Sequence, residues 1–431
     1  MNRKTLFHKV FTLVVVGQII SLFGNAILRF ALPLYLLNQT HSAALFGIVS
    51  ACSFIPMIIL SPIGGIIADR VNKRNIMVIL DFGTAALVGV LTLLMGSADL
   101  VPLLIVSLMI LYGIQGTYQP AVQASIPSLI APDKLMPANA VINLVSSLAG
   151  LIGPVIGGAA FGFWGMTPIL LVSIGCFLTS AIMEMFIHIP FEKKKKSSRL
   201  FSMVMSDLKE SASFIKNKKP VIAKVTWIIA AINFFFSSVM IIGLPVIITQ
   251  TLGFDETFGN QLYGYCQGSL AGGGLAGGLL AGMLSKKFSV SKSHNLLYIC
   301  SLLLIPISIA LMLKLPAMIT YIIILVCCFV SMASVSIFVI QMTSYLQLIT
   351  PSHLIGKTMA LVMCLCMCAH PLGQATYGAL FETFPDKAYI FFLCAALISG
   401  FVSRLSKTSF RILAHEALEE KSMVPIQDSV I

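Results

Sequence analysis

The residues Gly64 to Arg74, GGIIADRVNKR, join two long apolar runs and concentrate Asp69, Arg70, Lys73 and Arg74 in a chain that is only 10% charged. The runs on either side are each about twenty residues or more, enough for a helix to cross a hydrocarbon layer of about 30 Å. Runs of the same kind recur along all 431 residues, of which 58% are hydrophobic. Soluble domains use roughly 45–50%, and a soluble chain of this size has no core large enough for the excess. The reading is an all-α integral membrane protein with twelve transmembrane helices. They fall near residues 10–37, 43–68, 76–96, 101–125, 137–163, 166–189, 220–250, 259–283, 293–313, 317–347, 354–383 and 388–406. The first run is too long for a cleavable signal, and no small-residue cleavage site follows it.

Charge sets the orientation. If both termini are cytoplasmic, all of the 28 basic residues except Arg29, Lys224, Lys314 and Lys387 fall on the cytoplasmic side. That asymmetry is the positive-inside pattern. It accounts for the net charge of +12 without nucleic acid, and no basic stripe with interleaved aromatics is present. The segment 190–219 reads as a basic cytoplasmic linker near anionic lipid headgroups.

An internal repeat divides the chain. LIAPDKL at Leu129–Leu135 returns as LITPSHL at Leu348–Leu354, each between the fourth and fifth spans of its half. GIIAD at Gly65–Asp69 faces GLLAG at Gly278–Gly282, and Lys73–Arg74 is answered by Lys286–Lys287. The expected organisation is therefore two pseudo-symmetric six-helix halves, 1–189 and 220–406, joined by the 190–219 linker and followed by a cytoplasmic tail at 407–431. Secondary transporters are built this way, with a substrate site near the membrane midplane.

At these residues the chain resembles the major facilitator superfamily. Gly65, Asp69, Arg70, Lys73 and Arg74 fit its signature loop after the second span. Gly153, Pro154, Gly157 and Gly158 form a GPxxGG pattern in the fifth span, similar to that of drug/proton antiporters. The run ANAVINLVSSLAGLIGPVIGG, with IMVILDF in the third span, resembles the macrolide and multidrug efflux branch. Two departures stand out: Ala149 occupies the position of a usual glycine, and Gly282 stands where the second copy of the loop could have carried an acid. The resemblance implies a cytoplasmic gate in which Asp69 meets the start of the eleventh span near Ser352–Lys357. A carboxylate at a helix N-terminus is favoured by about 1–2 kcal/mol. It also implies that the fifth and eighth spans meet through glycines, among them Gly264, Gly268, Gly272, Gly274, Gly278 and Gly282.

Ionisable groups inside a membrane are expensive and mark candidate sites. Arg29 has no acid in its own span, so a carboxylate partner would come from another helix. Asp81 and Glu184 lie roughly 9 Å inside the cytoplasmic ends of their spans, at 1.5 Å per residue. His370 sits near the middle of the eleventh span and titrates in a useful range. Asn25, Gln115 and Asn233 supply amides, and Asn25 stands where proton-coupled exporters frequently carry an acid. Cys364, Cys366 and Cys368 point about 200° apart on a helix and cannot share one ion, so no metal is assigned. No nucleotide-binding or catalytic motif occurs. Neither an enzyme nor a cofactor is expected.

The function these features imply is secondary active export of small hydrophobic or amphipathic molecules by alternating access. Protons are the candidate coupling ion, and a monomer in a bacterial inner membrane is the working unit. Two alternatives stand beside it: export of a specific metabolite such as a siderophore, and a transporter-fold sensor or scaffold.

Overall fold

A computed structural model describes residues 9–131, 134–189, 200–283, 290–351 and 354–423. Side chains are described for these except residues 9, 62, 65–66, 68–70, 128, 136, 140, 200–208, 290 and 417–423. Among the described residues every regular element is helical. The helices are α1 (Lys9–Thr40), α2 (Ala43–Arg70), α3 (Lys73–Leu94), α4 (Leu100–Leu129), α5 (Leu135–Trp164) and α6 (Met166–Met185). They continue as α7 (Leu200–Asn217), α8 (Pro220–Ile232), α9 (Ser238–Val246), α10 (Glu256–Met283), α11 (Ser293–Met312), α12 (Ala317–Leu348), α13 (Ile355–Thr383) and α14 (Ala388–Met423).

Eleven described stretches are long and apolar enough to cross a membrane, with α8 and α9 joining into one at Pro220–Thr251. The twelfth, α10, has 28 residues, but its glycines and amides dilute its hydropathy. The chain is thus an all-α membrane protein with the helix complement read from the sequence. Two differences concern the ends of elements. Part of the 190–219 linker is the helix α7, and α14 runs unbroken past residue 406 to Met423.

Local chemistry explains the boundaries. Asn72 ends the α2–α3 connector by accepting a 3.1 Å bond from the Arg74 N–H, so Lys73 and Arg74 open α3. Ser42 caps α2 in the same way, accepting from the Leu45 N–H at 3.2 Å. Such caps satisfy backbone donors that the first helical turn leaves open. Between α8 and α9 the turn widens to a π-helix at Asn233–Ser237, and a second π-helix follows at Ile247–Thr251. Single π turns recur at functional positions in helices.

The chain packs as two compact units. The first comprises Met1–Lys196, Ile241–Ala271 and Gln374–Pro385. In it α2 packs on α4, α3 on α6, and α1 on both α5 and α6. Phe11, Val14, Met77, Val122 and Ile126 form part of its buried core. The second comprises Ser197–Met240, Gly272–Gly373 and Asp386–Ile431, where α11 packs on α12 and α14, and α8 on α14.

Glycines set the closest approaches within each unit. In the first, a methyl group on Gly158 would stand 2.8 Å from the Gly264 Cα and 2.9 Å from the Asn260 carbonyl oxygen. Gly268 faces Val155, so Gly264 and Gly268 carry the α5–α10 contact. Gly153 and Gly157 pack instead on Ala26, Ile27 and Phe30 of α1. In the second unit the close contacts of α10 fall on Gly273 and Gly277, against the backbone of Phe329 and Ala333 on α12. The expected glycine set is thereby corrected: Gly274 and Gly278 face only side chains at ordinary distance, and Gly282 meets nothing within 4 Å.

Candidate functional site

The first unit holds two polar clusters on one face of α1. The deeper one joins α1, α3, α4 and α6. Gln18 Nε2 donates to the Tyr118 hydroxyl at 2.7 Å, and that hydroxyl donates to Glu184 Oε1 at 2.7 Å. Ser21 Oγ donates to Asp81 Oδ1 at 2.9 Å, and Ser180 Oγ donates to the Gly17 carbonyl at 3.1 Å. Gln18, Ser21, Asp81, Tyr118, Ser180 and Glu184 are all buried. The second carboxylate oxygens, Asp81 Oδ2 and Glu184 Oε2, are buried and have no hydrogen-bond partner among the described residues.

No basic side chain among the described residues forms an ion pair with either acid. Arg74 turns to the backbone: its Nε donates to the Glu184 carbonyl at 3.4 Å and Nη2 to the Met185 carbonyl. A cation there satisfies open carbonyls at the C-terminus of α6 and suits the helix dipole. Two neighbouring buried carboxylates without a cation form a centre that can take up and release a proton.

The second cluster lies two turns further along α1. Arg29 Nη1 donates to Gln115 Oε1, and the guanidinium carbon sits 3.9 Å from the Tyr112 ring centroid. No carboxylate among the described residues completes an ion pair with Arg29. The side chain borders a cavity of about 400 Å³ enclosed by α1, α2, α4 and α5, with Ile241, Tyr263 and Gln267 contributing. Tyr263 stacks on Phe30 with ring centroids 5.1 Å apart. A narrow void shares Leu22, Asn25 and Gln115 with this cavity and reaches Asp81 and Tyr118. Asn25, Arg29, Gln115, Asp81 and Glu184, scattered in sequence, therefore belong to one connected region. Pro154 also lines the cavity, next to the Gly153–Ala26 contact.

A third set of contacts in the first unit lies at the helix ends away from the α2–α3 connector. Asn38 Nδ2 donates to Asn260 Oδ1 at 3.0 Å and to Glu256 Oε1 at 3.1 Å. The Ala44 N–H donates to Glu382 Oε2 at 3.3 Å, and Gly47 lies against Gly378. Asn38, Asn260 and Glu256 were missed in the sequence; an amide at the end of an apolar run is the signal that could have found them.

The remaining candidates are placed elsewhere. In the second unit Asn233 begins the π turn and donates to the Cys366 carbonyl at 3.0 Å, while Ser238 Oγ donates to the His370 carbonyl at 3.5 Å. Lys73 is described at the start of α3. The surroundings of Gly65, the side chains of Asp69 and Arg70, and residues 352–353 lie outside the described set, so the proposed Asp69 contact does too.

Comparison with known proteins follows the same lines. The family model described as Major Facilitator Superfamily matches residues 14–373. The chain is 24% identical over 431 residues to the macrolide efflux protein A of Streptococcus pyogenes, covering 95% of this chain and 99% of that protein. It is 28% identical over 178 residues to an enterobactin exporter of Shigella boydii, covering 40% and 42%. Among solved structures it is similar to an auto-inhibited POT family peptide transporter, with TM-score 0.71, 12% identity and coverage of 98% and 99%.

Proposed function

We propose, for a chain that belongs to the Major Facilitator Superfamily, that it exports small amphipathic molecules from a bacterial cytoplasm by alternating access. The superfamily consists of transporters, and the efflux proteins among the relatives support the outward direction. The aromatic cavity around Arg29 forms part of the substrate site, and the Asp81–Glu184 pair carries the coupling proton.

The observation that carries this reading is the void joining the two clusters through Asn25 and Gln115. A proton at Asp81 and a ligand at Arg29 would be about 12 Å apart along α1, eight residues at 1.5 Å each. Within a low-dielectric interior, charge at one position is felt at the other. Occupancy of the cavity and protonation of the pair can therefore depend on each other. The 190–219 linker, cytoplasmic termini and a monomeric working unit complete the proposal.

The contacts of Asn38, Gly47 and Gly158 would close one end of the substrate path and break when that end opens. Gly65, Asp69, Arg70, Lys73 and Arg74 would act at the opposite end as the cytoplasmic gate. His370 and Asn233 are retained as candidates for the second unit's share of the substrate path. Transport of an amphipathic dye into inverted vesicles, with and without an imposed proton gradient, tests the reading. Gradient-driven accumulation supports it, and accumulation no greater than in vesicles lacking the protein refutes it.

A further inference from the structure

We infer that the cavity around Arg29 selects amphipathic organic anions: an aromatic or aliphatic body bearing a carboxylate, sulfonate or similar group. The inference rests on the export reading and narrows its substrate class.

Arg29 is the one charged side chain among the described residues that line the cavity. Its guanidinium has five N–H donors, and the described protein supplies one acceptor, Gln115 Oε1. Tyr112 covers one face of the plane, which holds it in position without consuming a donor edge. A planar guanidinium with free donors is the side chain best matched to an oxyanion, which it can bind in two parallel hydrogen bonds. Arg29 is half-buried; partial desolvation of a cation without a counter-ion carries a cost, and an incoming anion lowers it. A cationic amine would place a second positive charge beside the same guanidinium.

Asp81 does not fill this role. It is bound to Ser21, two turns of α1 below Arg29 and about 12 Å distant along the axis, beyond hydrogen-bond reach. The remaining wall suits an apolar body: Phe30, Phe46, Phe54 and Tyr263 face the cavity. Its volume of about 400 Å³ lies within the range of small-molecule sites.

The test uses three radiolabelled probes with one body and fixed charge: 2-naphthalenesulfonate, 2-naphthalenesulfonamide and 2-naphthyltrimethylammonium. Initial uptake is measured in inverted vesicles at low probe concentration under an imposed pH gradient. Valinomycin and potassium clamp the membrane potential, and vesicles lacking the protein give the background. Hydrogen bonds to a charged partner predict that the sulfonate moves at least about tenfold faster than the sulfonamide. Arg29→Gln should erase that difference by slowing the sulfonate alone, and Arg29→Lys should keep part of it.

Equal rates for all three probes, preference for the ammonium probe, or a sulfonate preference that survives in Arg29→Gln would overturn the inference. Efficient transport of the sulfonamide with no charge preference would overturn it while leaving the export reading standing. Failure of all three probes to move above background in correctly inserted protein would overturn both.

Discussion

Gly158→Ala is the sharpest perturbation of the closed end of the first unit. The added methyl would sit 2.8 Å from the Gly264 Cα and 2.9 Å from the Asn260 carbonyl oxygen. Both are backbone atoms, so no rotamer change relieves the overlap and α5 must separate from α10. Overpacking of this kind costs about 1–3 kcal/mol, and the greater helix propensity of alanine cancels because α5 is a helix in both arrangements. A penalty of about 1–2 kcal/mol on the closed arrangement, the lower part of that range, raises the open population about five- to thirtyfold.

The assay is alkylation of a reporter cysteine at the buried Ala43, in a background without the native cysteines, by a membrane-impermeant maleimide. Gly175→Ala is the control, because a methyl there meets nothing within 4 Å. Labelling in Gly158→Ala should rise about five- to thirtyfold above the control, in line with the population shift. Equal labelling in the two variants would refute the reasoning that this glycine contact closes the path.

Tyr118→Phe removes the hydroxyl that joins Gln18 to Glu184 and leaves both without that partner. Stability should fall by about 1–3 kcal/mol, read as a lower Tm in detergent, and the pH profile of transport should move; an unchanged profile would count against a coupling role. Asp69→Asn should slow transport severely with near-normal membrane yield, as measured by vesicle uptake and quantitative blotting. Gly277→Val, whose side chain would press on the Ala333 backbone, should destabilise the second unit by about 1–3 kcal/mol or more, visible as reduced Tm and folded yield.

Much of the architecture was legible because the membrane imposes it. The long apolar runs and the half-chain repeat are features of local sequence, whereas the caps at Ser42 and Asn72 emerge only in the structure. The neighbours of each polar group were not legible. A 3.6-residue period identifies a helix face but not the helix opposite, so Asp81 and Glu184 could be nominated singly, yet not given their partners Ser21 and Tyr118. For Arg29 the sequence excluded a carboxylate partner from its own span but named no partner; packing gives it Gln115 and Tyr112. For α10, spacing by four identified a small-residue face but could not choose between Gly274–Gly278 and Gly273–Gly277. That choice depends on the backbone of α12. The fifth-span glycines serve two neighbours, Gly153 and Gly157 on α1 and Gly158 on α10, a division that a single motif does not reveal.

The central claim is that protons carried by the Asp81–Glu184 pair drive export through the cavity beside it. It is tested most directly by substrate-dependent proton flux in proteoliposomes holding purified protein of defined orientation, with a pH dye inside and the naphthalene probes as substrates. The account predicts that substrate elicits proton movement in the wild type, and that Asp81→Asn and Glu184→Gln each abolish gradient-driven accumulation while exchange of probe across the membrane persists. Proton movement and uphill accumulation that survive in both variants would contradict it.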